Sequence, residues 1–99
     1  MANYLYFEVC ESAVEMGKGD PIQQGRVEIT GTSGQSAAIS GSGRKRRAVR
    51  LWADVDCFVL WGANPTALQD GTGGQPYGAS NPEWREIEAG HVIATIEKV

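Results

Sequence analysis

His91 is the only imidazole in a chain of 99 residues. A nucleophilic hydrolase needs such a base beside its nucleophile, oriented by a third group. His91 follows Ala89 and Gly90 at the head of an apolar run, where a surface or hydrogen-bonded strand residue is expected. The nearest thing to a nucleophile elbow, Gly31-Thr32-Ser33-Gly34, is one residue too short and has the composition of a turn. Metal chemistry needs several converging ligands, but Cys10 and Cys57 are far apart and belong to no C-x-x-C pair. Asp54 and Asp56, like Glu86 and Glu88, stand two apart, a spacing that puts both carboxylates on one face of a strand as a solvated edge. Nothing marks a pair of carboxylates with separated ionisation, as a glycosidase requires. The expectation is a protein that is not an enzyme and carries no metal or cofactor.

Two other groups of residues could bind rather than catalyse. Arg44, Lys45, Arg46, Arg47 and Arg50 place five of the nine basic residues within seven positions. Such a run suits a phosphate or an acidic protein surface, and equally suits a charged hairpin arm that blunts a sheet edge. The formal net charge is −3, so the chain as a whole does not attract nucleic acid or an anionic membrane. Only Trp52 lies near the basic run, whereas strand-binding grooves interleave several aromatics with their cations. Nucleic acid and membrane are therefore not expected as partners. Trp52, Trp61 and Trp84 with Tyr4, Tyr6 and Tyr77 are more aromatic surface than one small core hides, so some should meet another protein. The interface candidates are Arg44, Lys45, Arg46, Arg47, Arg50, Trp52, Tyr77 and Trp84; the alternative is one aromatic core with Trp52 and Tyr77 partly wet.

The elements that position these residues read as strands. Residues 3–10 are rich in aromatic and β-branched types, and residues 12–16 could extend that strand before Gly17 to Pro21 break it. Residues 26–30 alternate, with Val27 and Ile29 inward. Residues 35–40 and 47–53 flank Gly41-Ser42-Gly43 as a predicted hairpin, with Val49, Leu51 and Ala53 on one face and Arg50 and Trp52 on the other. Residues 57–61 are apolar at both parities, as in a central strand with no wet face. Residues 62–81 read as a long surface loop. Residues 82–87 and 91–97 read as a second hairpin around Glu88-Ala89-Gly90.

With 13 glycines and no convincing helix, the chain is expected to form one all-β domain over residues 1–99, a compact antiparallel sandwich of about seven strands. A jelly-roll order and other sandwich orders both remain open. Cys10 and Cys57 lie in strand patterns and are expected as reduced, buried thiols. The first residues carry neither a basic region nor a long apolar run, so synthesis and retention in the cytoplasm are expected.

The string Ala53-Asp54-Val55-Asp56-Cys57-Phe58-Val59, then Gly62-Ala63-Asn64-Pro65-Thr66-Ala67, a loop, Glu83-Trp84 and Gly90-His91-Val92-Ile93-Ala94 resembles small virion proteins of tailed bacteriophages. The resemblance spans residues 35–96; residues 1–34 take no part in it. It implies a head decoration, or cement, protein: a β-sandwich that associates as a dimer or trimer and clamps the major capsid protein. Its location would be the capsid surface of the virion, after synthesis in the host cytoplasm. The resemblance brings no catalytic residues with it. The glycine-rich stretch at residues 71–78 and the Arg44 to Arg47 cluster depart from the pattern and leave the docking surface open. A second reading is a receptor- or glycan-binding module of a fibre or tail, with Trp84, Tyr77 and the polar loop as its platform. A third is a small nucleic-acid-binding barrel that uses the basic run.

Overall fold

Alternation of apolar and polar residues makes each strand two-faced, and the chain buries the apolar faces by packing two sheets together. The computed structural model describes residues 2–10, 22–41, 46–69 and 73–98. Its strands are β1 (Tyr4–Cys10), β2 (Gln23–Glu28), β3 (Gly34–Gln35), β4 (Arg46–Ala53), β5 (Cys57–Gly62), β6 (Gln75–Tyr77), β7 (Glu83–Glu88) and β8 (Val92–Glu97). The first sheet has the order β2-β1-β4-β7 and the second β3-β8-β5-β6, with every pairing antiparallel. The all-β sandwich expected from composition is the fold observed. Among the described residues it has eight strands rather than about seven, because β6 is a short piece in a segment too polar and glycine-rich to register as a strand, while β3 falls at the start of the strand expected at 35–40.

The core lies between the sheets. Leu5, Phe7 and Val9 of β1 meet Val49 and Leu51 of β4, Val59 of β5, Ile87 of β7 and Ile93 of β8. Phe7 stands opposite Gly25, and a Cβ on Gly25 would come within 2.6 Å of the Phe7 ring. The glycine on β2 is thus the space the ring fills, which pins the register of the pair.

Two expected hairpins are absent. Residues 34–39 run along β8, with Ser36 N–H donating to the Ile93 carbonyl and Ile39 N–H to that of His91, whereas β4 belongs to the other sheet. Likewise β7 pairs with β4 and β8 with β5, so Glu88-Ala89-Gly90 is a corner between sheets. Among the described strands only β1→β2 and β5→β6 connect neighbours within a sheet; the other connections cross the sandwich, the manner of wrapping seen in double-sheet jelly rolls. Period-2 patterning says which side of a strand is buried and nothing about its neighbour, which is why these turns were misread. The expected strand extension at residues 12–16 and the break at Gly17 to Pro21 lie outside the described residues.

The expected loop at 62–81 is also corrected. Gln75, Pro76 and Tyr77 pair with Val59, Phe58 and Cys57, adding β6 to the second sheet. Residues 63–69 fold back as a strap over the outer side of that sheet. There Ala67 packs with Phe58, Ala94 and Ile96 in a second apolar cluster. Gln35 ties the strap down, its Nε2 donating to Asn64 Oδ1 at 3.0 Å and to the Pro65 carbonyl at 2.7 Å. Ala67 N–H donates to Ser33 Oγ at 2.9 Å, and Gln69 Nε2 to the Glu97 carbonyl at 3.1 Å. The strap explains why β5 is apolar at both parities: one face meets the core and the other meets the strap.

Candidate functional site

The outer side of the first sheet is different. Tyr4, Tyr6 and Glu8 alternate with the buried Leu5, Phe7 and Val9 and so project outward from β1. Register puts Arg26 of β2 and Trp52 of β4 on either side of Tyr6. In the next row Gln24, Glu8, Arg50 and Trp84 run across all four strands.

These side chains touch one another. The Tyr6 and Trp52 rings stack with centroids 5.5 Å apart and planes 17° apart, and Tyr4 lies tilted 6.0 Å from Tyr6. The Arg26 guanidinium sits 4.0 Å over Tyr4, and that of Arg50 5.1 Å from the Trp52 ring. Glu8 faces Arg50 at 3.9 Å and accepts a bond from Gln24 Nε2 at 3.2 Å. The result is a row of rings and guanidinium groups, half-buried apart from the exposed Arg26 and held by their own neighbours, with mixed charge. Cation–π contacts and offset rings each contribute about 0.5 to 1.5 kcal/mol, enough to hold the side chains in one arrangement before any partner arrives.

Of the residues expected at an interface, Arg50, Trp52 and Trp84 lie on this face and Arg46 is exposed at the start of β4. Arg44 and Lys45 lie outside the described residues.

Arg47 is a correction. It shares the parity of Val49 and Leu51, so it points into the sandwich and is only 8% exposed. Its Nε donates to the Ser40 carbonyl at 3.0 Å. Gly41, at φ 133°, leaves room for the guanidinium: a Cβ there would lie 2.8 Å from Arg47 Nη2. Strand alternation therefore sets Arg47 on the opposite face from Arg46 and Arg50, and Arg47 serves as a plug at one end of the core.

Tyr77 is the second correction, since it is 1% exposed and part of the core. Its hydroxyl has no hydrogen-bond partner among the described residues, and Arg85 lies 5.4 Å from its ring centroid. Burial pushes its pKa up to about 12, against the lowering field of Arg85. Pairing with β5 hid it, a contact that a glycine-rich sequence does not announce.

The residues considered for catalysis are used in the fold. His91 Nε2 lies 3.1 Å from Glu88 Oε2 at the corner between sheets. Asp54 accepts the Tyr4 N–H at 3.0 Å, and Asp56 the Ala79 N–H at 2.8 Å. Cys10 and Cys57 are free and buried, and burial raises the Cys57 thiol pKa, keeping it protonated. Among the described residues no group of three or more His, Cys, Asp or Glu could hold a metal ion.

Sequence reasoning missed Tyr4, Tyr6 and Arg26 as members of the face. Their parity was a usable signal, since each alternates with core residues on its own strand. Comparison with family models, with curated proteins and with solved structures finds no match for the chain.

Proposed function

We propose that the protein is a virion structural protein of a tailed bacteriophage, a capsid decoration protein that binds the major capsid protein through the outer face of the first sheet. The observation that carries the binding face is the row Arg26, Tyr4, Tyr6, Trp52, Arg50 and Trp84, half-exposed or exposed, while the opposite face of the sandwich is covered by its own strap. Tyr, Trp and Arg are the residue types that dominate protein interface energetics, and rings already fixed in place lose little entropy on docking. The resemblance of residues 35–96 to phage head proteins supports the choice of a capsid as partner.

The arrangement of the rings bears on the glycan reading. Tyr6 and Trp52 turn their faces to each other, Arg26 and Arg50 lie over Tyr4 and Trp52, and Tyr77, expected in the sugar platform, is buried in the core. A stacking platform for sugars needs open ring faces aimed outward. Mixed charge on the face likewise disfavours a polyanion.

Purified protein mixed with expanded, empty phage shells should bind in ordered, stoichiometric fashion. Trp52→Ala combined with Tyr6→Ala should weaken that binding at least about 100-fold while the circular dichroism spectrum is kept. Failure to bind shells, together with binding to a glycan array, would replace this reading with the fibre or tail module.

A further inference from the structure

The four sheet edges of this sandwich are not alike. On β7, the outward carbonyl of Trp84 is capped by Arg85 Nη1 at 2.8 Å and that of Glu88 by His91 N–H at 3.1 Å. Glu83 and Arg85 also point toward the seam between sheets and pair at 2.9 Å, a charged device that discourages strand addition. Strands β3 and β6 are two and three residues long, too short to template a partner.

Strand β2 has none of these protections. Ile29 N–H donates to the Asn3 carbonyl and Asp54 N–H to that of Tyr4, which fixes the phase of the ladder around β1. In that phase Val27 and Gly25 bond toward β1, while the backbone groups of Gln24, Arg26 and Glu28 face away. These outward groups have no hydrogen-bond partner among the described residues, and all three side chains are exposed.

We infer that β2 pairs antiparallel with β2 of a second copy, Arg26 opposite Glu28 and Glu28 opposite Arg26, joining two first sheets into one.

Charge selects both the occupant and the register. Outward-facing groups must meet outward-facing groups, so the register moves in steps of two residues. One step places Arg26 opposite Arg26, and another places Glu28 opposite Glu28; both are repulsive. The register between them puts Val27 across from Val27 on the two-fold axis. It makes two opposite-charge pairs on the outer side and about four new backbone hydrogen bonds. A two-fold axis normal to the sheet leaves both rows of rings on the same side.

Joining the sheets also answers a shortage of area. Four strands about 4.8 Å apart and about 20 Å long make a face of roughly 400 Å². A standard interface takes roughly 800 Å² from each partner, which two joined faces supply. The pairing does not depend on what the face binds.

Sedimentation equilibrium of the full chain across a wide concentration range tests it. The expected result is a species of twice 10.6 kDa in equilibrium with monomer. Arg26→Glu alone and Glu28→Arg alone should each raise the dissociation constant roughly tenfold or more, and the double exchange should restore it. Glu28→Pro, which removes an outward N–H that the pairing uses and leaves the β1 ladder intact, should also weaken the dimer. Circular dichroism checks folding; if Arg26→Glu does not fold, Glu28→Arg and Glu28→Pro decide. A monomer at every concentration, or a dimer that none of these changes weakens, would overturn the pairing.

Discussion

The two outer faces of this sandwich are built from similar strands and treated in opposite ways. On the second sheet Phe58, Ala94 and Ile96 are covered by Ala67 and the strap, so that face belongs to the core. On the first sheet Tyr4, Tyr6, Trp52 and Trp84 stay half-exposed, with arginines braced against Tyr4 and Trp52. The difference separates stability from recognition: purely aliphatic and phenyl surface is removed from water at once, while amphipathic rings and guanidinium groups can remain wet at small cost.

The largest effect is expected where the covered face is opened. Phe58→Ala should destabilise the protein by about 3 kcal/mol in urea unfolding, and Trp52→Ala by only about 1 kcal/mol, because the first leaves a void under the strap. Equal losses at both positions would erase the distinction between the faces. Gln35→Ala should come next, at about 1 to 2 kcal/mol, since it releases Asn64 and the Pro65 carbonyl; proteolysis within residues 63–69 should accelerate with it.

The smallest effect is expected inside the core. Tyr77→Phe removes a buried hydroxyl without a partner among the described residues, so stability at neutral pH should be unchanged or higher by about 1 kcal/mol. The native state holds the Tyr77 proton up to about 12, whereas the unfolded chain releases it near the ordinary tyrosine value of 10.0. That contribution is fully present below about pH 10 and is lost as pH rises toward 12. Alkaline unfolding curves should therefore show a shallower fall for Tyr77→Phe than for the parent.

Much of this was legible in the chain. Alternation in residues 47–53 identified the buried side of β4 and placed Arg50 and Trp52 outward, whereas residues 3–10 were read as a strand without a buried side. The same alternation places Arg47 inward with Val49, and only the density of the basic run obscured it. Tyr77 was not legible, because its burial depends on β6 pairing with β5 across a loop rich in glycine. The strap was not legible either, although the double-sided apolar pattern of residues 57–61 required some cover on the outer side.

What the sequence by itself determined was local: strand period, the class of fold, the surplus of aromatic surface and the absence of a hydrolase signature. Tertiary structure alone decided which strands became neighbours, and so turned two expected hairpins into crossings between sheets. Side-chain alternation acts over two residues, whereas strand pairing is settled by the apolar area that distant segments can bury together. The row of rings on the first sheet exists because β1, β4 and β7, distant in sequence, satisfy that condition in one register.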